Sequence, residues 1–252
     1  MKLGLELGNR LEPVSLGQMI GATGWTGSDF FQTANPGGEA GDAAGFGVVL
    51  LFRVNTQSVA SATRILTERT SGLAGWLMFT GTTNASLTFF SYDATPAAVG
   101  SPAYTIAAGD VGKLMMAVGV HDTTHVRLYM HRVEVGSGTA QGTPGYTAAS
   151  ARQTVGARSN GTVPADGVTI FGISTYRGVK TLAQIQALYD DVKIARDILG
   201  SGHSPTNGWS LKRAGGAAPP ASVSNLGSGT DAMSRAGSSL TYNVVSQPVF
   251  GW

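Results

Sequence analysis

The chain has 252 residues, 42% hydrophobic and 13% charged, with 36 Gly and no Cys; that leaves enough apolar side chains for one large core and excludes disulfide frameworks and thiolate metal sites. Its 17 Lys and Arg against 15 Asp and Glu give a net charge of +2, with no basic run that would mark a nucleic-acid partner. No window reaches the ~18 to 20 apolar residues of a membrane span, and Glu6, Arg10 and Glu12 interrupt the start before an apolar signal segment can build, so membrane insertion and Sec export are not expected.

Residues 1–27 are Gly-rich and polar and read as an N-terminal arm. Residues 30–33 form a first short strand, closed by the turn Asn35-Pro36-Gly37-Gly38. Residues 46–54 (FGVVLLFRV) are a long strand, and further strands are expected at 62–68, 75–80 and 86–92, spaced about ten residues apart by Ser, Thr, Gly and Asn loops. Short strands at that spacing predict a β-sandwich. Leu114 to Val120 is a short apolar run that fits a strand buried on both faces. His121-Asp122-Thr123-Thr124-His125 then turns the chain, and strict alternation follows: Val126, Leu128 and Met130 on one side, Arg127, Tyr129 and His131 on the other. Residues 153–157 and 168–175 are the last expected strands. Thr181-Leu182-Ala183-Gln184 is a capping box, opening a helix over 181–199 whose apolar stripe runs through Leu182, Ile185, Leu188, Tyr189, Val192, Ala195, Ile198 and Leu199 to a closing Gly200. From residue 200 to 252 the chain is rich in Gly, Ser, Ala and Pro and reads as a second arm.

The order of these segments resembles the laminin-G-like, concanavalin A-like lectin/glucanase superfamily. Arg127-Leu128-Tyr129-Met130 is similar to that family's "rLYv" strand, Val155-Gly156 to its "lG" strand, Phe171-Gly172-Ile173 to the strand near a Gly, and Thr181 to Tyr189 to its short "LtxaEIxxLY" helix. The resemblance covers about residues 28–192. Two positions depart from it: His131-Arg132-Val133 replaces the Asp-Gly turn, and Gln184 replaces the acidic residue of the helix. It implies an all-β, two-sheet antiparallel jelly roll over residues 28–199, with one helix and a Gly-rich arm at each end. The superfamily contains lectins, adhesion modules, hydrolases and structural pieces, so the fold alone does not set the function.

The hydrolases of that superfamily carry Glu-x-Asp-x-x-Glu on one strand, and none of the 15 acidic residues has this spacing; Asp190, Asp191 and Asp197 lie on the helix and read as a solvated face. Glycosidase chemistry, which needs two carboxyl groups about the bond, is therefore disfavoured. Period-2 spacing puts His125, Arg127, Tyr129 and His131 on one strand face, where a ring for stacking beside cationic and imidazole donors suits a sugar. Arg158 and Asn160, in the next loop, extend that candidate site. His121, Asp122 and His125 bracket the turn as alternative metal ligands or as exposed turn residues, and Asp122, Asp166 and Asn160 are loop candidates for calcium. Trp76, Phe79, Phe89 and Phe90 read as core or sheet-face packing. Trp25, Trp209, Tyr242, Phe250 and Trp252 stand in the arms as anchors that dock those segments on the sandwich or on a neighbouring copy. Asn84 and Asn160 head formal glycosylation sequons.

The expectation is a non-catalytic lectin-like recognition module binding glycan or a surface partner, made in the cytoplasm and virion- or surface-associated. Its competitor is a structural or decoration subunit of an ordered particle such as a phage virion, and a glycoside hydrolase ranks third. A homo-oligomer or larger particle is expected from the anchors; no cofactor is required, with calcium as the candidate.

Overall fold

A computed structural model of the chain describes residues 18–33, 44–57, 63–70, 75–95, 97–144, 152–158, 160–195, 197–198, 205–211, 219, 221–228, 232–238, 240–246 and 248–252. Their strands form two antiparallel sheets. The first runs in the order β11 (Val133–Glu134), β10 (His125–Met130), β9 (Met115–His121), β3 (Phe46–Val54), β14 (Val168–Arg177), β1 (Gln18–Thr23) and β18 (Thr241–Ser246), with β12 (Thr139–Ala140) on β10 and β15 (Asn207–Ser210) on β14. The second runs β16 (Ser222–Val223), β17 (Met233–Ala236), β2 (Phe30–Thr33), β13 (Gln153–Val155), β4 (Arg64–Thr70), β5 (Gly75–Thr80), β6 (Ser86–Tyr92) and β7 (Ala98–Gly100), with β8 (Tyr104–Thr105) on β6. Packed face to face, they make a jelly-roll sandwich.

The apolar runs of β3 and β9 are explained by burial on both faces. Val48, Leu50, Phe52 and Val54 turn inward and share the main core with Trp76, Met78, Leu87 and Phe89 of the second sheet. Val49, Leu51, Met116 and Val118 turn outward into a second cluster, beneath the helix α1 (Leu182–Ala195). The expected capping box is formed: the Gln184 N–H donates to Thr181 Oγ1 at 3.3 Å and the Thr181 N–H to Gln184 Oε1 at 2.8 Å. Ile185, Leu188, Tyr189 and Val192 are the buried stripe, whereas Leu182 is 49% exposed and Ala195 is exposed. The helix also ends earlier than its periodicity predicts. Ile198 lies outside it, buried over Gly172, where an added Cβ would meet it at 2.6 Å; Leu199, Gly200 and the turn at 35–38 lie outside the described residues.

The segments expected to be arms contribute strands. β1 pairs along its whole length with β18 and touches β14 at Ala22 and Ile170. β15 pairs β14 over Gly172 to Thr175, and β17 pairs β2. The sandwich therefore draws on residues on both sides of 28–199. The composition concealed this because Gly, Ser and Ala pair through the backbone as well as any residue, and the few large side chains carry the burial. Trp25 is 3% exposed and Trp209 is fully buried. The Trp25 ring lies over Gly156, whose φ of +93° and missing side chain both suit the close approach, and its Nε1 donates to the Val168 carbonyl at 3.0 Å.

Candidate functional site

The β10 face singled out by alternation is not an open site. Tyr129 is only 8% exposed and belongs to the cluster under α1; the Tyr189 hydroxyl lies 3.0 Å from the Tyr129 carbonyl and 2.9 Å from that of Met116. Arg127 is engaged on both sides, by Asp122 at 2.9 Å and by Glu134 at 2.6 Å. His125 Nδ1 lies 2.9 Å from Thr124 Oγ1. His131 has left the strand: with Arg132 it forms a two-residue hairpin turn to β11, both at positive φ (51° and 70°), the signature of a type I′ turn without its usual Asn-Gly. Its Nε2 sits 2.5 Å from the Tyr104 hydroxyl. Burial, with Asp110 beside it, pushes the Tyr104 phenol up to about 12. The four residues therefore do not present one ligand face.

The metal candidates are also separated. Asp122 Oδ1 accepts from the Thr124 N–H, the Thr124 hydroxyl and the His125 N–H at 2.6, 2.8 and 2.7 Å. Burial pushes its pKa up, but Arg127 and these donors outweigh that and hold the carboxyl at about 2. Asp122 adjoins the start of β3, through His121 opposite Phe46, and Asp166 adjoins its end, through Val168 opposite Val54; nine residues of strand keep them about 26 Å apart. No cluster of three His, Cys, Asp or Glu is found among the described residues. His121 is fully buried rather than an exposed turn residue. Asn84 is buried too, its amide donating to the Thr56 and Asp166 carbonyls at 3.2 and 2.9 Å, so its sequon is not accessible.

Arg158 lies elsewhere. It faces the outer surface of the second sheet, on the far side of the sandwich from Tyr129, with its Nε 3.5 Å from Glu68 Oε2. Asn160, in the same loop, uses its Oδ1 to accept from the Thr162 N–H and hydroxyl at 3.1 and 2.6 Å, fixing the turn. Beside Arg158 is a groove of about 380 Å³, floored by Ile65, Leu77, Phe79 and Phe90 and rimmed by Thr63, Tyr92, Arg158 and Val163.

Strand register builds this groove. Trp76 and Met78 of β5 turn into the core, so Leu77 and Phe79 turn out; on β6 Phe89 and Ser91 turn in while Phe90 and Tyr92 turn out. Glu68 of β4 stands opposite Leu77, and Ile65 opposite Phe79. A bulge at Leu66 sends that residue inward without disturbing the outer row. Phe90 leans over Gly100 of β7, where a Cβ would lie 2.7 Å from the ring. Phe79 and Phe90 are half-buried, with centroids 5.9 Å apart and planes inclined at 51°. The four strand aromatics expected to pack thus divide: Trp76 and Phe89 are core, Phe79 and Phe90 line an open groove. The signal was the alternation SLTFFSY with a glycine on the flanking strand.

No protein-family model and no curated protein matches the chain. Among solved structures, a Bacteroides ovatus protein to which carbohydrate binding is ascribed aligns with a TM-score of 0.62 at 10% identity, covering 92% of this chain and 61% of that one. A tryptophan-to-alanine mutant of HCR/D aligns at 0.52 and 9% identity, over 72% of this chain and 43% of that one. The binding domain of botulinum neurotoxin DC in complex with SialylT gives 0.47 and 10%, over 59% and 35%. The chain spans less than two thirds of each of these structures. At such identity the likeness to the first two shows a shared fold.

Proposed function

We propose that the chain is a non-catalytic, lectin-like binding module of the laminin-G-like/concanavalin A-like type, and that its glycan site is the groove on the outer face of the second sheet. The observation that carries this reading is the set of outward aromatic rings, Phe79, Phe90 and Tyr92, beside a half-exposed Arg158 in a cavity of about 380 Å³. Ring faces receive the C–H face of a pyranose, and a few polar groups at the rim fix its orientation. The carbohydrate binding ascribed to the Bacteroides ovatus structure supports the same class.

A glycan array followed by calorimetry on the best hit tests it. Phe90→Ala removes one stacking surface and is expected to weaken binding about tenfold, since an aromatic contact of this kind contributes about 1 kcal/mol beyond the area it covers. Arg158→Ala should weaken it as well. Binding that survives both substitutions unchanged would place the site elsewhere.

A further inference from the structure

The lining of the groove narrows the ligand class, a step that rests on reading the groove as a glycan site. We propose that it takes a neutral pyranose bearing an acetamido group, that is, an N-acetylhexosamine.

Charge comes first. Among the described residues Arg158 is the one charged side chain lining the groove, and 3.5 Å from its Nε lies the buried carboxylate of Glu68. That carboxylate offsets part of the guanidinium's attraction for a carboxylated or sulfated sugar. An anion would have to compete with Glu68 for the same guanidinium.

Polarity comes second. Ile65, Leu77 and Val163 form an aliphatic side of the groove, Ile65 and Val163 being tied by the Ile65 N–H donating to the Val163 carbonyl at 3.1 Å. A sugar hydroxyl placed there loses its water without a replacement partner, which is unfavourable, whereas a methyl group gains. Arg158 uses its Nε edge toward Glu68; the remaining guanidinium N–H groups are donors that want a carbonyl or hydroxyl acceptor. An acetamido group supplies both requirements at once: its methyl for Ile65 and Val163, its carbonyl for Arg158. The ring then stacks on Phe79 and Phe90, whose 51° inclination makes a trough rather than a flat platform.

Titration calorimetry of the full chain tests this with N-acetylglucosamine and N-acetylgalactosamine disaccharides, their parent glucose and galactose disaccharides, fucose and rhamnose as methyl-bearing sugars without the amide, and a uronic acid disaccharide. The acetamido sugars are expected to bind about tenfold or more tightly than their parents, the scale of one well-placed apolar group, with an affinity unaffected by added salt. Phe90→Ala should weaken that binding about tenfold, and Phe79→Leu serves if the first variant fails to fold. Arg158→Met should erase the preference for the acetamido group. Parent hexoses bound equally well, and weakened in Phe90→Ala, would overturn the proposal while leaving the groove a glycan site. Equal binding of fucose or rhamnose would overturn the carbonyl contact, and salt-sensitive binding of the uronic acid would overturn neutrality. If none of the sugars binds and an array shows no other glycan, the glycan reading itself fails with it.

Discussion

His121 shows how far a residue's environment can depart from its local sequence. Within HDTTH it reads as a turn imidazole, yet it closes β9 in the core with no exposure, Nδ1 2.7 Å from Ser91 Oγ and Nε2 2.8 Å from the Gly142 carbonyl. The carbonyl requires a proton on Nε2, so Nδ1 accepts from the serine. Burial lowers its pKa, outweighing the Gly142 carbonyl, Asp122 and Asp93; burial likewise lowers His131 against Asp110 and the Gly251 backbone. Below the ordinary histidine value of about 6.5 the unfolded chain then binds more protons than the folded one, so stability is complete above that pH and falls as the pH drops through it. The melting temperature should decline from pH 7 to pH 5, and His121→Gln should flatten the decline; a melting temperature independent of pH would contradict the burial of both rings. Tyr129 carries the companion lesson. Alternation assigned it correctly to the outer side of β10, but the helix that covers that side begins over fifty residues later, beyond the reach of a local pattern. Tyr129→Ala should therefore cost about 3 kcal/mol in a denaturant titration, as for a buried ring, where an open ligand face would lose almost nothing.

At the scale of elements, β3, β5 and the half-buried β6 were readable with their ends, and β9 and β14 to within two residues, because their periodicity is set by the two layers they touch. β3, β5 and β6 coincide with their expected bounds. The short strands β7, β8, β11, β12 and β15 to β18 were not readable. Five of them have only two or three residues, too few for a period, and the others lie in the Gly- and Ser-rich sequence after residue 200, so their pairing is settled by the strand already in place. The groove was half readable: the sequence offers Phe90 and Tyr92 on one side of β6, but only the finished sandwich shows that α1 covers one outer face and leaves this part of the other open. Thr181 tests the most local of these readings. Its side chain and that of Gln184 satisfy one backbone donor each at the start of α1, so Thr181→Ala is expected to destabilise the protein by about 1 kcal/mol. Gln184→Ala should cost less, since it leaves the Thr181 cap in place. Equal melting temperatures for wild type and Thr181→Ala would mean that packing of Ile185 and Tyr189 alone fixes the helix.

For the whole molecule, the question is what orders segments so rich in Gly, Ser and Ala, whose ordering costs about 1 to 2 kcal/mol per residue. Backbone pairing within the two sheets orders β1 and β18, and residues 248–252 form a strap across the first sheet. The Leu114 N–H donates to the Val249 carbonyl at 2.8 Å and the Gly251 N–H to the Leu114 carbonyl at 2.9 Å. Trp252 packs edge-on against Tyr189 of α1 at 5.3 Å and against Phe250 at 4.9 Å, its Nε1 donating to the Tyr189 carbonyl at 3.3 Å. Trp25, Trp209, Phe250 and Trp252 thus grip their own chain, and Tyr242 stands in β18 opposite Ala22. The anchors therefore touch their own chain, with Trp25 and Trp209 buried and Tyr242, Phe250 and Trp252 half-buried. Deleting residues 248–252 exposes the apolar surface of Tyr189 and the edge of the outer cluster; at about 25 cal/mol per Å² for two half-buried aromatic rings, the loss should be about 3 kcal/mol. The truncated chain should keep its β-sheet circular dichroism, melt earlier, and sediment with the same number of copies as the full chain. Faster hydrogen exchange in α1 should accompany the earlier melting, since the strap lies on that helix. A truncation that lowers the number of copies in sedimentation without lowering the melting temperature would show instead that these rings hold a neighbour.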